Sequence, residues 1–447
     1  SNYDFGDLGD DDESRAQRLA VQNWDAPIIV TTNVQFFESL FASKPGKSRK
    51  VHSIARSVII LDEAQMLPDG LLRPSLAMLE ELTLAYGASV VLCTATQPAF
   101  DLVWPFGSQL REIVRRTDGF SDTFGGRVSY EALGILEADD LVEQLAALPQ
   151  VLCVVGTKDG ARRIYRDLVA RARCKAEIEA GRAAAVEGFF HLSASMTPSH
   201  RSMVLESVRA RLAGGERCVV ISTQLVEAGV DVDFPLVYRE LAGIDSLVQA
   251  AGRCNREGRR DGGIVRVFEY AIDGERQKTV PWLEKMKGIA RDVIREHGGI
   301  IDESLVRPFF EWRYEQEEAL DAKGIYGALS SQNILRENLK NIPFERVSHD
   351  YRIIEDDTAP LLIPRGEEGR IALAQLVAAT NPASMAMRLQ RHSVSIPQRL
   401  VQDYAQVGAI CEVGPILVLR EERLEDFYKD DVGLLKPGEE ESQPLFF

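Results

Sequence analysis

Two series of short, fully apolar runs, each separated by stretches of helical periodicity, constrain this chain more than any other feature. Strands that face water on one side alternate apolar and polar residues. Strands that read apolar throughout are buried on both faces, and alternation with helices implies a parallel sheet covered on each side. In the first series Ala26–Thr32, Ser57–Leu61 and Ser89–Thr94 read as strands. Between them Asn33–Phe41 and Leu71–Tyr86 read as helices, the second with Leu72, Leu76, Leu79 and Leu82 on one face. The pattern pauses near Gly119–Gly134 and restarts. Val151–Thr157, Gly188–Ser193, Arg217–Thr223, Leu236–Glu240 and Gly263–Phe268 are predicted strands. Asp159–Ala172, Pro198–Leu212 and Asp245–Arg253 are the helices between them. After Gln277 the strands stop. Trp282–His297, Glu303–Ala322 and Ser331–Lys340 read as helices, a loop spans Glu355–Gly369, and the end mixes one or two helices with a strand at Gly414–Leu419.

The chain has 447 residues, enough for about three domains. The expected organisation is a first α/β unit at 1–135 and a second at 136–272, then a helical linker at 273–365 and a small accessory α/β domain at 366–447. The acidic stretch Asp4–Glu13 and the tail Pro437–Phe447 read as loops or cut ends. No apolar run reaches the roughly 20 residues of a membrane helix, and the first thirteen residues carry six acids, unlike a signal or transit peptide. Six scattered cysteines form no C-x-x-C pair, which argues against a zinc ribbon and fits a reducing cytoplasm. The net charge of -16 argues against a non-specific DNA coat but leaves room for a local basic channel. Residues 158–175 hold seven basic and two acidic side chains.

Chemistry concentrates where apolar strands end. The second strand runs Ile59-Ile60-Leu61-Asp62-Glu63-Ala64-Gln65. Acids at the carboxyl end of a buried parallel strand sit where open α/β sheets bind ligands. There the first acid can hold Mg²⁺, and the second can polarise an attacking water for phosphoryl transfer. Thr94-Ala95-Thr96 closes the next strand with hydroxyls that can relay hydrogen bonds. In the second series Ser222–Asp231 follows a strand and Gln249–Arg256 reads Q-x-x-G-R-x-x-R. On a helix, Arg253 and Arg256 share a side and can clamp a phosphate as its charge develops.

Together these motifs resemble the two RecA-like lobes of superfamily 2 nucleic-acid helicases, with a DEAQ box. More closely, the chain resembles the helicase-nuclease of type I CRISPR systems. That match rests on Thr31–Phe37, Leu61–Gln65, Cys93–Pro98, His191–Met196 and the run Ser222–Arg256. It is strong over residues 20–270 and rests on layout beyond. The resemblance implies that ATP and Mg²⁺ are used, with Asp62 the metal and Glu63 the water-activating acid. Gln65 would couple that site to Thr94 and Thr96. Thr31, Thr32 and Asn33 would touch phosphates of single-stranded DNA from the first lobe, and Thr157, Ser193 and Thr223 from the second. Gly229 and Asp231 would lie beside the nucleotide, and Gln249, Arg253 and Arg256 would complete the ATP site from the second lobe. The implied activity is 3′ to 5′ translocation on DNA that an RNA-guided surveillance complex has opened, in a prokaryotic cytoplasm.

Two family parts are not in the sequence. A phosphate loop G-x-x-x-x-G-K-[ST] is absent; Pro45-Gly46-Lys47-Ser48 has Phe41 where the first glycine is required and follows a helix, so it reads as a basic surface loop. The nuclease's metal-binding histidines are absent too, with His349-Asp350 a chance doublet. The chain is therefore expected to be the back of a first, incomplete lobe, a whole second lobe and a C-terminal domain. It would be inactive alone and depend on a nuclease and phosphate-loop segment supplied in cis or in trans. The alternative readings are a non-catalytic RecA-fold module that binds DNA or the surveillance complex, and an RNA helicase.

Overall fold

A computed structural model describes residues 23–96, 98–104, 110–113, 127–180, 187–227, 229–277, 279–315, 317–330, 342–354 and 357–439. The readings of Asp4–Glu13, Ser331–Lys340 and the last eight residues lie outside them. The fold is α/β, built on parallel sheets. The chain divides into two compact units, 1–115 with 304–355 and 116–303 with 356–447. The stretch expected as one helical linker is thus shared between the units.

In the first unit, α1 (Asn33–Leu40) starts where the Thr32 side chain accepts a hydrogen bond from the Gln35 amide. Strand β1 (Val58–Leu61) pairs in parallel with β2 (Ser89–Leu92), and α2 (Asp69–Leu84) connects them. Leu72, Leu76, Leu79 and Leu82 are all buried, each worth about 1.5–3 kcal/mol. The later segment of this unit is fastened to α2 by polar contacts. Arg313 pairs with Asp69 at 2.7 Å, and the Tyr351 hydroxyl meets Ser75 at 2.7 Å.

The expected strand Ala26–Thr32 does not form; the backbone there is bent and irregular. Ile28 is 84% and Val30 77% exposed. An apolar strand forms when a sheet covers it on both faces, and these residues gain no such cover. The same shortfall shows in β1, where Ile59 and Leu61 are buried but Val58 and Ile60 are about two-thirds exposed. Pro45–Ser48, expected as a loop, is a single helical turn.

The second unit holds a parallel sheet in the order β3-β8-β7-β4-β6-β5: β3 (Val128–Glu137), β4 (Gln150–Val154), β5 (Phe189–Leu192), β6 (Cys218–Ser222), β7 (Leu236–Glu240) and β8 (Gly263–Ile272). A two-residue strand β9 (Glu275–Arg276) turns back along β8. Helices α3 (Ala138–Ala147), α4 (Lys158–Ala180), α5 (Pro198–Ala213) and α6 (Ile244–Ala251) belong to this unit, as does α7 (Pro281–Glu296). β3 was not anticipated. It is an edge strand with half its residues exposed, so Ser, Tyr and Glu interrupt the apolar run, and it bulges at Gly134.

The accessory part is a sheet in the order β11-β10-β13-β12, from Thr358–Leu362 (β10), Ser393–Pro397 (β11), Ile410–Val413 (β12) and Ile416–Leu419 (β13). β10 lies inside the segment expected to be a loop. Helix Gln398–Gln406 and helix Gly366–Ala378 pack in separate cores, one through Leu361 and the other through Leu362, adjacent residues that face opposite sides of β10.

This sheet docks on the second lobe through the hairpin of β14 (Tyr428–Lys429) and β15 (Gly433–Leu434). The Leu434 amide donates to the Ser195 carbonyl at 2.8 Å, and the Tyr428 hydroxyl accepts from the Thr197 amide at 3.0 Å. Gly433 has φ +78°, and a Cβ there would collide with the Ser195 carbonyl oxygen. Gly433→Ala should therefore destabilise the second unit by at least about 1–2 kcal/mol, the cost of a left-handed alanine before any clash. A urea midpoint unchanged from wild type would refute this contact.

Candidate functional site

The acids of the first unit sit where a parallel strand stops. β1 ends at Leu61, and Cys93 and Ala64 tie that end to β2 by backbone hydrogen bonds, Cys93 N to Leu61 O at 2.8 Å and Ala64 N to Cys93 O at 3.2 Å. The chain then turns through Glu63 in the left-handed region, φ 53° and ψ 44°. A non-glycine residue there is strained, and such strain gathers at functional sites. The turn leaves Asp62 exposed, with Oδ1 accepting from the Glu63 amide at 3.0 Å. Gln65 is buried, and its Nε2 donates to Glu63 Oε2 at 2.5 Å. Among the described residues, Gln65 Oε1 and the buried Thr96 Oγ1 have no hydrogen-bond partner. Thr94, after β2, is half-buried. An exposed carboxylate oxygen of Asp62 suits Mg²⁺, a hard cation usually held by one or two carboxylates and several waters.

Of the three residues at the start of α1, Asn33 reaches the acid turn, while Thr31 and Thr32 bond to Gln35. Asn33 Nδ2 donates to the Asp62 carbonyl at 3.3 Å, and Thr31 Oγ1 donates to Gln35 Oε1 at 3.1 Å. In the second unit, Thr157 Oγ1 accepts from the Gly160 amide at 3.0 Å at the start of α4. A hydroxyl that accepts from a backbone N–H keeps its O–H for another acceptor, and helix N-termini favour anions. Thr32 and Thr157 share that arrangement. Ser193 is fully buried and accepts from the Ser195 amide, so it presents no surface as placed. Thr223, half-buried, donates its amide to the Leu192 carbonyl and makes no side-chain cap.

The arginine motif differs from its expected geometry. α6 ends at Ala251, so Arg253 and Arg256 lie beyond the helix and do not share a helical face. Gly252 caps it, and Asn255, at φ 46°, continues the turn. Arg253 is buried, and its guanidinium donates to the carbonyls of Val226 and Glu227 at 2.9 and 2.5 Å. Arg256 stays partly exposed and pairs with Asp231 at 3.2 Å. The structure thereby brings Arg256 and Asp231 together. Gly229 lies just upstream at φ +70° in open space, and Gln249 is buried on α6.

Sequence reasoning missed the residues that hold this arrangement. Asp233 accepts from the Arg256 amide at 2.8 Å and pairs with Arg260. Arg239 is wholly buried in β7 and joins Glu227 at 2.8 Å and Ser246 at 2.7 Å. Glu240, also buried, accepts from the Gly156 amide at 2.7 Å and from Lys287 of α7 at 2.5 Å. A charged pair, Arg-Glu, in an otherwise apolar strand is the one signal that could have found them. Buried charges persist only when paired.

The family described as CRISPR-associated nuclease/helicase Cas3, C-terminal, matches residues 149–259. The chain is similar to the CRISPR-associated nuclease/helicase Cas3 of Haloferax volcanii, 26% identical over 71% of this chain and 42% of that protein. It is similar to the CRISPR-associated helicase Cas3 of Thermoproteus tenax, 29% identical over 50% of this chain and 35% of that protein. The chain thus spans less than half the length of these curated relatives. Its fold is shared with T. fusca Cas3 solved with AMPPNP, TM-score 0.55 at 14% identity, covering 86% of this chain and 53% of that one. It is also shared with a chain of a CRISPR RNA-guided surveillance complex in a pre-nicking state, TM-score 0.54 at 15% identity, covering 92% and 60%.

Proposed function

We propose that this chain, by sequence and fold the helicase part of a CRISPR-associated nuclease/helicase of the Cas3 kind, is the motor of an ATP-driven translocase on single-stranded DNA. Its target is DNA opened by an RNA-guided surveillance complex in a prokaryotic cytoplasm. The observation that carries the reading is the strained turn that places Asp62 and Glu63 at the carboxyl end of a parallel strand, with Gln65 holding Glu63. Asp62 would hold Mg²⁺, which would supply neutralisation of the phosphate charge. Glu63 orients water against the γ-phosphorus and receives its proton, and ADP and phosphate leave. Gln65, hydrogen-bonded to Glu63 and with a free buried oxygen, passes the change toward Thr94 and Thr96. Thr31, Thr32, Asn33 and Thr157 meet strand phosphates. Half-buried Thr223 joins them from the end of β6, and Ser193 only after the local backbone opens. Such backbone contacts are insensitive to base sequence and sensitive to salt.

Gly229 and Asp231 border the nucleotide, and Gln249 and Arg256 face its phosphates. Arg253 is a positioning residue here, since its guanidinium holds the Val226–Glu227 segment. Arg256→Ala in the complete protein should lower kcat of ATP hydrolysis by about 10³-fold with less effect on nucleotide binding. Arg253→Ala should instead lower the unfolding midpoint. Equal losses of binding and turnover for Arg256→Ala would make it a simple phosphate anchor.

The exposed apolar side chains of Val58, Ile60, Ile28 and Val30 support completion of the first lobe by a segment carrying the phosphate loop, in cis or in trans. The deciding experiment measures ATP hydrolysis by the complete protein with DNA and with RNA strands. Stimulation by DNA alone is expected. Preferential stimulation by RNA would move the chain to the RNA helicases, and no turnover with either would leave a binding module.

A further inference from the structure

Beside the edge strand β5, within the second unit, lies a cavity of about 280 Å³. Its walls include Tyr165 of α4, Phe190 of β5, and Met203 and Val204 of α5. The accessory domain closes one side with Arg365, Asp430 and Asp431. His191 lines it, is only 2% exposed, and among the described residues has no hydrogen-bond partner on either ring nitrogen. Nearly all buried polar groups find a partner, and each unmet nitrogen carries its full desolvation cost. Three other polar groups of the lining are engaged: His200 Nδ1 meets the Tyr428 hydroxyl at 2.9 Å, Arg365 Nε donates to Asp430 at 2.8 Å, and Ser207 Oγ donates to the Met203 carbonyl at 3.1 Å.

Three features narrow the ligand. Burial, aided by Arg162 and Arg166, pushes the His191 pKa down to about 3, so at neutral pH its ring offers one donor and one acceptor. No group of three metal-ligating side chains occurs among the described residues, so a metal ion is not favoured. Arg365 on the rim is already paired with Asp430, which leaves it poorly placed to take a phosphate, and the rim carboxylates suit sugar hydroxyls. A cavity of about 150 Å³ already holds benzene, so this one has room for a larger ring, and its aromatic walls can stack on one.

We propose that this cavity binds a neutral, planar nitrogen heteroaromatic of nucleobase size, carried as a nucleoside, with His191 pairing its hydrogen-bonding edge. This goes beyond the translocase reading and does not depend on it. The test is equilibrium binding of adenosine, guanosine, cytidine and thymidine to the 447-residue chain, its Ser207→Trp variant and its His191→Phe variant. Ser207 is an exposed residue of α5 on the cavity lining, so tryptophan there fills the space without entering the core. Phenylalanine keeps the ring shape of His191 and removes the unmet nitrogens, so the fold should hold. At least one nucleoside should bind saturably, with affinity reduced tenfold or more in both variants and fivefold or more when a 5′-phosphate is added. No saturable binding by any of them, unchanged binding in both variants, or tighter binding of the mononucleotides would overturn the proposal. Competition by an oligonucleotide but not by its abasic equivalent would identify the ligand as a strand base. Competition by nucleosides alone would identify it as free. Either result stands whatever the ATPase assay shows.

Discussion

Alanine in place of Arg239 should cost the second unit about 3–5 kcal/mol of stability, the usual loss when one partner of a buried ion pair is removed. Arg239 is fully buried, and its guanidinium serves Glu227, Ser246 and the Glu240 carbonyl at once. Burial already pushes the Glu227 carboxyl above the usual carboxylate range against the pull of Arg239, so an orphaned Glu227 is costlier still. The network joins β7 to the segment before Gly229 and to α6, which carries Gln249. The variant should therefore lose nucleotide-dependent activity in the complete protein as well as stability. Urea denaturation followed by circular dichroism reads the first effect. The double variant Arg239→Met with Glu227→Gln should recover most of it, because a neutral pair removes the buried charges. A single variant within 1 kcal/mol of wild type would show that the pair is solvated in solution.

Asp62→Ala and Glu63→Gln in the complete protein should each lower DNA-stimulated ATP hydrolysis by about 10²-fold or more, the range of a lost general base or metal contact. Stability should hardly move, since Asp62 is exposed and Glu63 half-buried. Glutamine at 63 keeps a carbonyl oxygen for Gln65 while removing the base. Glu63→Ala is the poorer probe, because it also loses that hydrogen bond. Near-normal turnover in either preferred variant would end the assignment of these acids. Intact nucleotide binding with lost turnover in Glu63→Gln is the pattern expected of a water-activating residue.

The strands legible in the sequence are those covered on both faces. Val151–Val154 and Cys218–Ile221 are wholly buried, so nothing polar interrupts them and their boundaries fall within a few residues of expectation. β3 and β10 escaped because edge or half-covered strands carry Ser, Glu and Pro on their open side. Ala26–Thr32 failed in the opposite sense, since apolar composition records a demand for cover and not its presence. The position of Asp62 and Glu63 was legible because they end the apolar run of β1. The spacing of Arg253 and Arg256 was read as helical, and a glycine cap one residue earlier turned it into a buried strut and a surface arginine.

The amino-acid sequence by itself determined the two α/β units, the order of the motifs, and the placement of Asp62, Glu63 and Gln65 at a strand's end. These follow from local periodicity and from the polar residues that break it. Tertiary structure alone decided that Arg253 faces inward and Arg256 outward, and that Asp233 and Arg239 hold the motif. It also seated the accessory hairpin on Ser195 and left His191 without a hydrogen-bond partner among the described residues. Each of those depends on residues far apart in the chain meeting in low dielectric, where a polar group's value is set by its partner and not by its neighbours in sequence.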